Sequence, residues 1–168
     1  MDKFIPSSRK TADFRAVIWA GLISGLVFLL VNMLLSWIVL GTPWIFTRMA
    51  AGIVLGDGVV PPPATFDPLV FFTALLIHLF LSILFTTILA LIIHRWGLLV
   101  GILGGALFGL ALYFINTYTF SYFFPWFFSL RSWIILVSHV LFGATAGGVY
   151  ELLEVDEAAP VETSTPTR

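Results

Sequence analysis

Four long runs of apolar residues dominate the chain, and shorter, more polar segments separate them. The runs extend from Ala16 to Leu40, from Leu69 to Ile93, from Leu98 to Phe120 and from Ser132 to Tyr150. A helix rises about 1.5 Å per residue, so about 20 apolar residues cross the hydrocarbon core of a bilayer. The pattern therefore predicts an all-α membrane protein with four transmembrane helices.

Weaker signals divide the rest of the chain. Residues 1–15 are predicted to form an N-terminal segment and residues 16–152 the transmembrane domain. Residues 153–168 hold acids, prolines and threonines and too few apolar residues for a core, so we expect a disordered acidic tail. The segment from Trp44 to Leu55 is too short to span and predicts a short interfacial helix, which Gly56 ends.

Cap and turn residues flank the second run. Asp67 followed by Pro68 is typical of an N-cap and a first helical residue. His94 lies at the other end, where a cation favours the C-terminus of a helix. Gly97 then permits a tight reversal of the chain, so the second and third spans should be joined by a short turn.

Composition restricts the partners and the chemistry. Of 168 residues, 60% are hydrophobic and 10% charged, which is more apolar surface than a soluble domain of this size can cover. The predicted partner is therefore the lipid bilayer. A net charge of −1 argues against a nucleic-acid partner, and the lack of cysteine excludes disulfides and thiolate metal sites. No hydrolase, nucleotide-binding or metalloprotease motif is present, so we expect neither an enzyme nor a cofactor. The predicted function is that of a non-enzymatic accessory or structural membrane protein.

The lysines and arginines beside the runs predict the orientation. One side of the bilayer would carry Lys3, Arg9, Lys10, Arg15 and Arg95, and the other would carry Arg48 and Arg131. Loops that hold more of these residues stay in the cytoplasm. Both termini are therefore predicted to be cytoplasmic.

A spaced pattern occurs twice. The first copy comprises Gly21, Gly25, Leu26 and Asn32, and the second comprises Gly105, Gly109, Leu110 and Asn116. Each copy is followed by Pro-Trp-x-Phe, by an arginine (Arg48 or Arg131) and by a histidine in the next run (His78 or His139). The pattern predicts two similar hairpins, repeated in parallel. The alternative is that glycine and leucine recur by chance in apolar sequence.

Glycines also predict where helices approach each other. Gly101, Gly105 and Gly109 recur every four residues in the third run, and the fourth run has His139, Gly143 and Gly147 at the same spacing. Small residues at this spacing let two helices pack closely in a membrane.

Polar groups within the runs are costly, and four side chains stand out there: Asn32, His78, Asn116 and His139. The first interpretation is that they form hydrogen bonds between helices, each contributing about 0.6–2 kcal/mol. A second is that His78 and His139 face each other and bind a metal or a haem. A third is that a homo-oligomer forms a channel or transporter for small solutes, lined by Asn32, Asn116 and His78.

The two arginines beside the Pro-Trp-x-Phe segments allow one more binding hypothesis. Arg48 and Arg131 are candidates to hold an anionic lipid headgroup or solute at the membrane surface. Alternatively, they extend to water and anchor the helices. A homo-oligomer or another membrane protein as partner stays open.

Several stretches resemble a known family. They are Pro43-Trp44, Arg48 to Gly56, Val60 to Asp67, Leu107 to Tyr113, Phe124 to Phe127, Arg131 and His139. They are similar to uncharacterised four-span bacterial inner-membrane proteins often labelled "sodium:proline symporter". The resemblance covers about residues 15–152. It implies a location in the bacterial inner membrane and no assigned activity.

Overall fold

The computed structural model describes residues 13–94 and 96–154, and all regular structure in these ranges is helical. The α-helices are α1 (Phe14–Leu40), α2 (Ile45–Leu55), α3 (Pro68–Ile93), α4 (Leu98–Phe114), α5 (Phe120–Phe123) and α6 (Trp133–Leu153). A π-helical turn, Ile115–Thr119, joins α4 to α5, and short 3₁₀ segments occupy Asp57–Val59 and Pro125–Leu130. The predictions for residues 1–12, Arg95 and the acidic tail from residue 155 lie outside the described residues.

Four of these helical segments are long and apolar enough to cross a membrane: Phe14–Leu40, Pro68–Ile93, Leu98–Phe123 and Trp133–Leu153. Their ends differ by at most three residues from those of the predicted runs. The all-α architecture with four long apolar helices is therefore confirmed. The predicted short helix after the first span is also present, as α2, and Gly56 follows it.

Local side chains fix where the long helices begin. The carboxylate of Asp67 accepts a hydrogen bond from the backbone N–H of Val70 over 3.1 Å, and Pro68 is the first residue of α3. Asp13 caps α1 in the same way. Gly97 has a φ of 89°, which a residue with a side chain rarely adopts, and it turns the chain from α3 into α4.

The glycine face of α4 lies directly against α6. A β-carbon on Gly105 would overlap the carbonyl oxygen of Gly143, and one on Gly109 would overlap the carbonyl oxygen of His139. A β-carbon on Gly147 would likewise overlap the carbonyl of Gly101. The predicted close-packing faces are confirmed, and they pack on each other. Backbone contact at this range leaves no room for any side chain.

The first span packs on both α3 and α6. A β-carbon on Gly21 would come within 2.8 Å of the Cα of Ile83, and one on Gly25 within 2.6 Å of the Ser82 hydroxyl. Where α1 begins and where α3 and α6 end, these helices enclose a cluster of buried residues: Ala16, Val17, Ala20, Leu89, Ala90, Ile93, Ala146 and Tyr150. We call this the Gly97 end of the bundle.

The short helix α2 covers the opposite end, which we call the α2 end. Its Ala50 and Ala51 pack against Val70 and Ala74 at the start of α3. The two helices joined by the Gly97 turn, α3 and α4, make few contacts with each other. Because α4 packs on α6 and α3 packs on α1, a cleft is left between α3 and α4 in the middle of the bundle.

Candidate functional site

A cavity of about 80 Å³ lies in this cleft. We call it the histidine cavity, because His78 of α3 and His139 of α6 both line it. Its other lining residues are mostly apolar: Phe28, Phe46, Ala50, Ile53, Ile77, Leu81, Ser82, Phe85, Leu112, Asn116, Thr117, Phe120, Phe127, Leu130, Ile135 and Phe142. Among the described residues, no aspartate, glutamate, lysine or arginine lines it.

The ring of Phe28 connects the two histidines. Its centroid is 4.8 Å from that of His78 and 4.9 Å from that of His139. The His139 ring meets it edge-on, at 89°, and the His78 ring is tilted by 37°. Both predicted histidines thus reach one site, and a phenylalanine that the sequence did not single out packs against both.

His78 is oriented by the first span. Its Nε2 lies 2.9 Å from the carbonyl oxygen of Gly25, which can only accept, so Nε2 carries the proton and donates. In the neutral ring Nδ1 is then an acceptor, and it has no hydrogen-bond partner among the described residues. Gly25 permits this contact because it has no side chain, which allows α1 to approach α3 closely.

His139 has both ring nitrogens engaged. Nδ1 donates to the carbonyl oxygen of Ile135 over 2.9 Å, so in the neutral ring Nε2 accepts. The amide nitrogen of Asn116 donates to this Nε2 over 3.3 Å. The amide oxygen of Asn116 is left buried, with no hydrogen-bond partner among the residues that the structure describes. The hydrogen bond predicted between spans is therefore present for this pair, and a metal at His139 would have to displace one of its two bonds.

The π-helical turn brings Asn116 and Thr117 to the cavity wall. Such turns insert one residue into an α-helix and often occur at functional sites. The hydroxyl of Thr117 donates to the carbonyl oxygen of Tyr113 over 2.6 Å, one turn earlier. Sequence reasoning missed this turn, because the asparagine and threonines in Ile-Asn-Thr-Tyr-Thr disfavour an ordinary helix without specifying a π-helical turn.

Asn32, which the repeated pattern aligns with Asn116, is not part of the histidine cavity. It is wholly buried, and within the described part of the chain neither its amide nitrogen nor its amide oxygen has a hydrogen-bond partner. It lines a second cavity, of about 200 Å³, nearer the α2 end. The two asparagines therefore have the same sequence context and different surroundings.

Neither candidate arginine lines the histidine cavity. Arg48 donates to the carbonyl oxygens of Val59 and Thr65, over 2.9 and 3.0 Å, and thereby holds the loop after α2. The guanidinium of Arg131 lies over the rings of Tyr118 and Phe128, 4.1 and 4.4 Å from their centroids. Each arginine is thus held by its own half of the chain.

The third histidine belongs to a polar group at the Gly97 end. Nδ1 of His94 lies 2.5 Å from a carboxylate oxygen of Glu154 and 3.1 Å from the Tyr150 hydroxyl. The Glu151 carboxylate accepts from the backbone N–H groups of Trp96 and Gly97, over 3.3 and 3.0 Å, at the N-terminus of α4. His94 lies at the end of its helix as predicted, but its partners are Tyr150 of α6 and Glu154, the residue after α6.

The described residues contain no group of three or more histidine, cysteine or acidic side chains able to hold a metal ion. What the histidine cavity offers is an apolar wall and two unpaired acceptors, Nδ1 of His78 and the amide oxygen of Asn116. No protein-family model, curated protein or solved structure matches the chain.

Proposed function

We propose that the protein is a non-enzymatic, multi-pass membrane protein that binds a small, mostly apolar ligand in the histidine cavity. The observation that carries the proposal is the pair of unpaired acceptors, Nδ1 of His78 and the amide oxygen of Asn116, in an apolar wall. A ligand that pairs with these acceptors must donate a hydrogen bond, so we propose that it bears a hydroxyl or amine group. A concave apolar pocket with a few oriented polar groups is the usual form of a small-molecule site.

The position of the cavity indicates how the ligand arrives. Ile77, Leu81 and Phe85 of α3 line one side of the cleft and are half-buried, and Leu112 and Phe120 line the other side. Since α3 and α4 make few contacts, the ligand enters sideways, between these helices, from the lipid. An apolar molecule is concentrated in the bilayer by the hydrophobic effect, so this route suits it.

The hydrogen bonds of the cavity favour binding over catalysis. The Ser82 hydroxyl donates to the carbonyl oxygen of His78 over 2.8 Å, and the Thr117 hydroxyl donates to that of Tyr113. Nε2 of His78 already donates its proton to Gly25 and cannot accept one from Ser82. A serine nucleophile needs such a base beside it. Both hydroxyls are therefore engaged in hydrogen bonds to the backbone of their own helices and are not activated as nucleophiles.

We also propose that the chain consists of two similar halves. The corresponding glycines, Gly25 in the first half and Gly109 in the second, each lie against the long helix that follows in the chain, near its histidine. This supports a duplication, although Asn32 and Asn116 have diverged in their surroundings. If the halves are independent units, the second half expressed without α1 to α3 should keep the contact between Gly109 and His139, and loss of this contact would argue against the proposal.

For the cellular setting, we propose the bacterial inner membrane with both termini in the cytoplasm. The distribution of lysine and arginine and the family resemblance support this. A C-terminal fluorescent-protein fusion, which fluoresces only in the cytoplasm, tests it. A dark fusion that is nonetheless inserted would contradict the orientation.

Ligand binding can be tested with two isomers, 1-butanol and methyl propyl ether. They have the same composition, and only the alcohol has a donor. In protein labelled with ¹⁵N-histidine, the alcohol should shift the Nδ1 signal of His78 in a saturable way, and the ether should not. The His78→Gln variant identifies the signal. Equal shifts with both isomers, or none with either, would contradict the proposal.

A further inference from the structure

The Asn32 cavity is distinct from the histidine cavity. It has a volume of about 200 Å³ and lies between α1, the start of α2, the 3₁₀ segment Pro125–Leu130 and the start of α6. Its polar lining residues are Asn32, Ser36, Ser129 and Ser132. A water molecule needs roughly 10–15 Å³ of cavity space, so several fit.

Asn32 is the strongest evidence for a ligand. Its side chain is 0% exposed, and neither amide atom has a partner in the described protein. The residue lies eight positions before the end of α1, or about 12 Å along a helix that rises about 1.5 Å per residue. A buried amide without hydrogen bonds is costly, so a molecule in the cavity must supply both a donor and an acceptor.

The lining of the cavity defines the class of this molecule. Among the described residues, no charged side chain and no histidine contributes to the wall. A charged ligand would be left without a counter-charge in an apolar surrounding, which is strongly unfavourable. The ligand is therefore neutral. Ser36, one helical turn after Asn32 and 4% exposed, offers a second polar group on the same side of α1.

The surroundings also indicate a route to water. Exposed Ser129 lines the Asn32 cavity and also an open groove at the α2 end, formed with Met49, Asp57, Gly58, Val60, Pro61, Pro62 and Trp126. On the inner side, Phe46, Leu130 and Ile135 line both the Asn32 cavity and the histidine cavity. These three apolar side chains separate the Asn32 cavity from the histidine cavity.

We infer that the Asn32 cavity is a second binding site, which takes a small neutral polar molecule of the carboxamide class from the water at the α2 end. A carboxamide has one donor group and one acceptor group, which complements the two unpaired atoms of Asn32. In its absence, water occupies the site. The inference does not depend on ligand binding in the histidine cavity, because the two cavities are separated.

The natural chain has no cysteine, so single cysteines report on this cavity without background. The reporter is Ser36→Cys, which keeps Asn32 intact. The matched control is Leu34→Cys, whose side chain is 53% exposed on the outer surface of the same helix. Thiols react as thiolates, which form only in contact with water, so a small methanethiosulfonate should modify Cys at 36 at least about tenfold faster than Cys at 34 in liposomes.

Two further measurements make the test specific. Acetamide should slow the labelling at position 36 in a saturable way. In the double variant Asn32→Leu with Ser36→Cys, labelling should be slow and insensitive to acetamide, with unchanged helix content and elution volume. A labelling rate at 36 no greater than at 34 would mean a dry cavity and overturn the inference. Fast labelling that acetamide leaves unchanged would overturn the solute site.

Discussion

Asn116 donates a hydrogen bond from its amide nitrogen to Nε2 of His139 over 3.3 Å. The bond ties the π-helical turn of the third span to α6, just beyond the glycine face that joins the same two helices. The Ile135 carbonyl oxygen can only accept, so it fixes the proton on Nδ1 of His139 and leaves Nε2 as the acceptor for Asn116. The contact thus holds Asn116 at the cavity wall and leaves its amide oxygen as an acceptor.

The two cavity histidines should be opposite tautomers. ¹⁵N NMR of histidine-labelled protein in micelles near neutral pH should show the proton on Nδ1 in His139 and on Nε2 in His78, because each faces a carbonyl oxygen through that nitrogen. Asn116→Leu should move the Nε2 signal of His139 and leave His78 unchanged. The same tautomer in both rings would contradict these hydrogen bonds.

Contact between α4 and α6 should be intolerant of a single methyl group. Gly105→Ala places its β-carbon on the Gly143 carbonyl, and overpacking of this kind costs about 1–3 kcal/mol of unfolding free energy. Gly104→Ala is the matched control, since its β-carbon would find only Ile93 Cγ2 at 3.5 Å. Unfolding in mild detergent with increasing dodecyl sulfate measures both. Equal stability of the two variants would contradict the close approach.

Arg48 should act mainly as a clamp for the loop between α2 and α3. Arg48→Lys loses the planar fork that reaches Val59 and Thr65 together, and hydrogen bonds of charged groups are worth about 1.5–3 kcal/mol. Hydrogen exchange at residues 57–66 should therefore accelerate about tenfold or more, since tenfold corresponds to about 1.4 kcal/mol.

A second substitution controls for the general effect of replacing arginine by lysine. Arg15→Lys changes an exposed residue at the Gly97 end, and it should leave exchange in the loop unchanged. Unaltered exchange in Arg48→Lys would instead leave Arg48 available for a lipid headgroup or another anion.

Glu151 should stabilise the start of α4. Glu151→Ala removes the acceptor for two backbone N–H groups, and the loss of a cap costs about 1 kcal/mol of unfolding free energy. Glu151→Gln, which keeps one acceptor oxygen, should lose less. Leu152→Ala, at an exposed neighbour, serves as the control in the same detergent titration. A Glu151→Ala variant as stable as this control would argue against the cap.

The spans could be read from the sequence because the membrane imposes a length on each helix. Apolar runs, Asp67, Pro68 and Gly97 act locally, and the structure confirmed their positions to within a few residues. The glycine spacing also identified the faces of α4 and α6, because only small residues allow backbones to touch.

The site could be predicted only in part. His78 and His139 were chosen because polar groups are rare in such helices, and they do line one cavity. That Phe28 lies against both rings, and that Asn116 has a partner whereas Asn32 has none, depends on how the helices cross. In the sequence pattern the two asparagines occupy equivalent positions. The pattern does not show which helices will surround each of them.

The position of Glu151 has a consequence for biogenesis. It lies near the end of the last span, yet its carboxylate completes the N-terminus of α4, which the ribosome makes some fifty residues earlier. The start of α4 therefore enters the bilayer before Glu151 has been synthesised. Until then, water or lipid headgroups must accept the hydrogen bonds of its backbone N–H groups. Both the glycine contact and the completed turn require α6, so the domain reaches its final form only after the last span has been translated.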